Sequence, residues 1–241
     1  MFHINFGGET ISYQILRSNR RKTLGIAVQD NRVIVTAPTG TDEDKISQIV
    51  KEKASWIRKQ LSLNDEIHAE SIQKEFISGE KLPYLGRMYR LKVIQTEPKQ
   101  KPNLRFYQGR FFATVPENIS EEDYRTVLYP LYKAWIKNKA ATFTTTRMKR
   151  FTLLMQEQPT TVQIREQRQR WGSCTPDGKI ILNWHIFLAP TSVIDYILVH
   201  ELAHLKDMNH SNEFWHTVKV IMPNYEDKKE WLRINGKKLY I

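Results

Sequence analysis

The chain is 241 residues long, enough for one large or two small domains, and 40% hydrophobic with 11% aromatic side chains, which excludes a disordered chain. One cysteine, Cys174, excludes an internal disulfide, and no apolar run approaches the ~18 residues that a membrane span needs. The net charge of +11 is uneven: residues 1–150 hold 26 basic and 16 acidic side chains, residues 151–241 hold 11 and 10.

The opening, MFHINFGGETISYQ, lacks the charged-then-apolar profile of a signal peptide, so the expectation is a cytoplasmic protein without membrane contact. The runs ISYQILRS, TLGIAVQ and RVIVTAP are rich in β-branched residues and are separated by RRK and DNR, which reads as an antiparallel meander. From Asp42 the period changes. Ile46, Ile49, Val50, Ile57 and Leu61 share one helical face, predicting one amphipathic helix that covers the sheet.

A second β-rich stretch follows, KLPYLGRMYRLKVIQTE and LRFYQGRFFATVP, with QG as a hairpin turn. Ser120 with Asp123 three residues on marks a helix start, and the helix runs to about Lys149, kinked or divided at Pro130. Between Arg125 and Arg150 it carries seven basic residues and no acidic one. The chain shows no internal repeat, low-complexity stretch or Gly/Ser linker. The expected fold class is α+β, with an antiparallel β-rich N-terminal region over residues 1–118 and a second domain over residues 119–241.

The last ninety or so residues read as strand (TVQIREQRQ), turn (WGSCTPDG), short strand (KIILN) and a helix from about Ser192, with Ser192 as N-cap and Asp195 as its capping-box partner. The segment Ile180–Asn183 is either an edge strand that pairs with an extended peptide or an interior strand. Apolar residues surround the helix, so it is buried and its polar residues are the informative ones. They are His200, Glu201 and His204, in the string HELAH.

Four residues make slightly more than one helical turn, so both imidazoles point the same way and can grip one ion. Glu201 projects about 100° around the helix and is placed to take a proton from a water on that ion. Zinc suits two imidazoles and an open position, because it acidifies its bound water towards neutrality. The alternative is a pair of hydrogen-bonded core histidines, whose burial beside Glu201 without a metal is costly.

The third ligand on this reading is His210, six residues past His204, at the metzincin spacing but with Asp207 where the metzincin glycine stands. Asn209, which tolerates a left-handed backbone, would end the helix, and a new helix would start near Ser211. The other reading of His210 is an exposed loop histidine, with Glu213 and Glu226 as carboxylate ligands in reserve. Arg170 and Trp171 form either a cleft wall or a stacked packing unit. Cys174 reads as a small buried residue, Met222 as a core methionine, and His185 and His216 as non-ligands.

The string HELAHLKDMNHSNEFW, preceded by RWGSC, IILNW and PTSVIDYILVHEL, resembles the YgjP-like family of zinc metallopeptidases, whose zinc motif is similar to those of the SprT and WLM groups. RSNRRKTLGIAV, the stretch from Gly79–Glu80 to YLGRMY, and MPNYEDKKEWL extend the resemblance over most of the chain. It implies a zincin-like domain with His200, His204 and His210 as ligands of Zn2+, Glu201 as the catalytic residue, and a peptide or protein substrate. A rival reading takes the basic half as a nucleic-acid surface, with Tyr84, Tyr89, Phe106 and Tyr107 stacking on bases. The two coexist in a protease for DNA-bound proteins, the substrates of SprT and WLM relatives. A third keeps the metal but makes the protein a hydrolase of another amide or a metal-stabilised scaffold.

Overall fold

The computed structural model describes residues 2–19, 23–29, 32–67, 73–167 and 170–241. The chain forms two compact units, Met1–Glu70 and Ser71–Ile241. Among the described residues no helix is long and apolar enough to cross a membrane.

The first unit holds β1 (Phe2–Phe6), β2 (Glu9–Ser18), β3 (Gly25–Gln29) and β4 (Arg32–Pro38), then α1 (Glu43–Glu52) and α2 (Ala54–Ile67). The sheet order is β1-β2-β4-β3. The outer pairs are antiparallel but the central pair, β2 with β4, is parallel, which corrects the expected meander. The parallel register sets Tyr13 against Val33 and Ile15 against Val35, so the apolar sides of both strands face the same way. Ile46, Val50, Ala54 and Ile57 bury on that face with Val33, Val35 and Ala37. The single helix expected there is two, divided at Lys53, which caps α1 and keeps both apolar stripes on the sheet.

The second unit opens with β5 (Lys81–Tyr84), β6 (Arg87–Thr96), β7 (Asn103–Tyr107) and β8 (Arg110–Pro116), in the order β5-β6-β8-β7 with β6 and β8 parallel. This is the first sheet again. Glu9–Ser18 recurs as Arg87–Thr96, Gly25–Gln29 as Asn103–Tyr107 and Arg32–Pro38 as Arg110–Pro116, each displaced by the same 78 residues. The parallel registers coincide under that displacement, Tyr13↔Val33 becoming Leu91↔Phe111 and Ser18↔Pro38 becoming Thr96↔Pro116. An internal repeat is therefore present where the sequence showed none. The copies share burial rather than identity: Ile4, Val33, Val35, Ala37, Ile46 and Val50 answer to Leu82, Phe111, Ala113, Val115, Tyr124 and Leu128, all buried.

In the second copy the helix is one element, α3 (Tyr124–Met155), which buries every fourth residue from Tyr124 to Met148. Pro130 lies on its exposed side and does not divide it. The sheet's inner face and α3 form an aromatic core, with the Phe111 ring 5.6 Å from Tyr132 and 4.9 Å from Trp135. That core is continuous with Trp184, Leu198 and Phe214 far along the chain. The compact units therefore divide after Glu70, not at residue 118, because the sheet β5–β8 shares its interior with everything that follows.

A second, three-stranded sheet contains β9 (Thr161–Arg165), β10 (Gly172–Cys174) and β11 (Lys179–Asn183) in the order β10-β11-β9. Ile180–Asn183 is thus an interior strand, and β10 is an edge. A 3-10 turn, Trp184–Leu188, leads to α4 (Thr191–Ala203), followed by α5 (Asn212–Ile221), α6 (Tyr225–Asn235) and a 3-10 turn, Gly236–Leu239. The β5–β6 turn grips the chain just before α4: Leu85 N–H donates to Phe187 O at 2.9 Å and Gly86 N–H to Leu188 O at 3.1 Å. Gly86 has φ +76, and a Cβ there would stand 2.6 Å from Pro190 Cα. Only glycine permits both this turn and this approach.

Candidate metal centre

Helix α4 is apolar on nearly every side, with Val193, Ile194, Tyr196, Ile197, Leu198, Val199 and Leu202 buried. It starts one residue before the expected Ser192: Pro190 is the N-cap, with no side-chain cap. Asp195 is instead ion-paired with Arg147 of α3 at 3.5 Å, a neighbour that only the fold supplies.

His200 and Glu201 lie in the last turn of α4, and His204 is its C-cap. The helix ends there, and Asn209 takes no positive φ, so it is not the terminator expected of it. Asp207 shapes the return of the chain. Its carboxylate accepts the Asn209 N–H at 2.8 Å and the Ser211 hydroxyl, and its backbone carbonyl lies 3.0 Å from His204 Nδ1. Ser211 Oγ in turn accepts the Phe214 N–H at 3.1 Å and caps α5. A loop centred on this carboxylate thus brings His210 back over α4.

The ligand-capable nitrogens of His200, His204 and His210 all lie within 4.8 Å of one another, a group that can hold a metal ion. His210 Nε2 stands 3.2 Å from His200 Nε2, and the carbonyl of Asp207 on His204 Nδ1 leaves His204 Nε2 open. Burial pushes His200 down to about 3, with His204 and His210 adding to the effect, so its ring is neutral at neutral pH. Two imidazole nitrogens facing each other at this distance, with the third ring beside them, can hold a cation. Glu213 and Glu226 stand outside this group.

Phe214, 1% exposed, packs its ring 5.0, 4.5 and 4.8 Å from the rings of His200, His204 and His210. Trp215 stacks on His210. Sequence reasoning missed this platform, although the signal was there: Phe214 is four residues past His210, the first apolar residue of a capped helix.

Glu201 is 4% exposed, and its Oε2 has no hydrogen-bond partner among the described residues. Burial pushes its carboxyl up to about 8, with Arg170 pulling the other way. It faces Gly172 of the edge strand β10, where a Cβ would stand 2.5 Å from Oε1. Trp171, Gly172, Tyr196, His200, Glu201 and Lys229 line a cleft of about 240 Å³ beside the histidines. Trp171 is thus a cleft wall, backed by Tyr240 at 5.5 Å.

The remaining candidates lie elsewhere. His185 is buried beside Asn183 Oδ1 at 3.0 Å, His216 is exposed, and Met222 packs against the main core. Cys174 is half-buried, and burial pushes its thiol up to about 11, so it stays protonated. Tyr84, Tyr89 and Phe106 point into the aromatic core, which removes them as base-stacking residues; Tyr107 is 58% exposed.

The sequence profile of the YgjP-like metallopeptidase domain matches residues 22–235. Among solved structures the chain is similar to the metallopeptidase zymogen abylysin of Pyrococcus abyssi, at 26% identity over 39% of this chain and 93% of that one, with a TM-score of 0.35. No curated protein matches it. With the profile spanning the whole of the second sheet and the three histidines, the chain belongs to the YgjP-like metallopeptidases and is a peptidase of that family.

Proposed function

We propose that this protein is a zincin-like, zinc-dependent peptidase in which His200, His204 and His210 hold the ion and Glu201 is the general base. The observation that carries the reading is the convergence of three imidazoles beside a buried carboxylate whose Oε2 has no hydrogen-bond partner among the described residues. A structural zinc would be closed by four protein ligands, whereas three histidines leave a position for water. Two nitrogens bound to a tetrahedral zinc at about 2.05 Å each are about 3.3 Å apart; the Nε2 atoms of His200 and His210 are 3.2 Å apart.

Bound zinc would polarise the scissile carbonyl and lower the pKa of its water. Glu201 would accept the proton of the attacking water on its carboxylate and return it to the leaving amine. Gly172 leaves the carboxylate room against the strand, and the positive charge of a bound ion would favour its ionised, proton-accepting form. An extended peptide pairs with the open edge of β10, its scissile bond over the histidines. Lys229, in the same cleft, supplies positive charge for the oxygen on which charge develops.

The test is metal content with hydrolysis of a casein or peptide library. About one zinc per chain is expected, lost in His204→Ala. Glu201→Gln should keep the zinc and lower kcat/KM by about 10²- to 10⁴-fold. Zinc lost with Glu201→Gln, or full activity retained, overturns the assignment of the base.

A further inference from the structure

The two copies of the sheet differ in charge on the face turned away from their helices. Cross-strand pairs place Lys81 opposite Arg90, Lys92 opposite Phe112, Arg105 opposite the same Phe112, and Tyr107 opposite Arg110. Side chains alternate along each strand, so Lys81, Arg90, Lys92, Arg105 and Arg110 share one face. All five are exposed, and among the described residues no ion pair involves them. No Asp or Glu occurs in any of the four strands.

The first copy shows that the fold does not require this. Under the displacement of 78 residues, the counterparts of the five cations are His3, Ser12, Gln14, Ala27 and Arg32. Five positive charges thus stand where the same backbone carries one. Lys81 directly opposite Arg90 is a like-charge pair that costs stability unless an anion lies across it.

The apolar residues between the cations narrow the class of anion. Tyr107 is 58% and Met88 52% exposed on the face, and Arg105 lies over the Phe112 ring at 5.7 Å from its centroid. Rings and a guanidinium plane interleaved with cations across a four-stranded sheet form a surface on which unpaired bases stack while phosphates meet Lys and Arg. An acidic protein would use the charges and leave the rings idle, and duplex bases are already stacked. We infer that the outer face of β5–β8 binds single-stranded nucleic acid without sequence preference. This inference does not depend on the zinc chemistry.

The test is fluorescence anisotropy of the full chain with a labelled oligothymidylate of about twenty nucleotides, repeated between about 50 and 200 mM salt. Expected is binding that weakens with salt, with a log–log slope of up to about −3.5 if all five cations neutralise phosphates at about −0.7 each. Arg90→Glu with Lys92→Glu should cost at least about tenfold in Kd, and Ser12→Glu with Gln14→Glu, the counterpart positions of the first sheet, should change it less than about twofold. Circular dichroism checks the fold of both, and Arg90→Gln with Lys92→Gln decides if the charge reversal unfolds the protein. The inference is overturned by no binding at the lowest salt, by equal losses in the two sheets, by tighter binding to duplex DNA, or by polyglutamate competing as well as the oligonucleotide.

Discussion

The same four strands, in the same order and register, serve two purposes in this molecule. In the first unit the sheet closes a small core with α1 and α2 alone. In the second, the equivalent sheet is wedded to a helix of 32 residues, and its β5–β6 turn holds the segment from which α4 and its histidines emerge. The backbone plan is indifferent to function. What differs is where the copies were extended: α3 passes without interruption where the first copy breaks at Lys53, and its added turns give α4 a surface to pack on. A turn that is merely a turn at Gly7–Gly8 becomes a clamp at Leu85–Gly86.

If that contrast is right, comparable core and turn substitutions in the two copies will part company. The largest effect is expected in the cores. Ile57→Ala and Ile136→Ala each remove a fully buried side chain from the core of their unit, and each should destabilise that unit by about 2–5 kcal/mol. Only Ile136→Ala should also lower zinc occupancy and peptidase activity, because only that core is continuous with α4. Hydrogen exchange followed by mass spectrometry reads the two units separately. Equal loss of activity from both would break the comparison.

The turns give a smaller, sharper difference. Gly8 and Gly86 both have positive φ, but a Cβ at Gly8 meets nothing within 4 Å whereas one at Gly86 meets Pro190. Gly8→Ala should cost about 1 kcal/mol of backbone strain. Gly86→Ala adds a steric clash of about 1–3 kcal/mol and should shift the melting temperature further while weakening zinc binding.

The smallest effect separates the units by pH. In the chelated protein, burial holds the Glu201 carboxyl at about 8, above its ordinary value of 4.5, so the folded state binds this proton more tightly than the unfolded chain does. Its stabilising contribution is full below about 4.5 and lost as pH rises towards 8. His200, depressed to about 3, works the other way: its contribution is full above 6.5 and lost as pH falls towards 3. Chelated Glu201→Gln should therefore melt above the chelated wild type at pH near 8 and alongside it near 4, with the difference in the second unit only. A difference of the opposite sign at high pH would mean that the buried carboxylate has a partner in the folded protein.

The site was more legible in the sequence than the fold. His200 and His204 are four residues apart on one helix, and the 3.6-residue period alone aims them together, whatever surrounds them. The QG turn was legible for the same local reason, since Gln108 and Gly109 both take the positive φ such hairpins need. The strand partners were not. Whether β2 pairs with β3 or β4 depends on which apolar faces meet across a connection, and hydropathy alternation is the same for either choice. The repeat was hidden similarly, because Val33 and Phe111 or Ile46 and Tyr124 are equivalent as buried volume and not as letters.

The amino-acid sequence by itself determined which histidines could hold a metal ion, the buried character of the helix that carries two of them and the cationic excess of the first 150 residues, all properties of residue type and short-range spacing. Tertiary structure decided the rest. It set the Asp207 loop and the Phe214 platform against the histidines, Gly172 against Glu201, and five cations on one face of one sheet while its twin stayed nearly neutral. Those are juxtapositions of residues distant along the chain or across strands, and they exist only once the buried faces have chosen their partners.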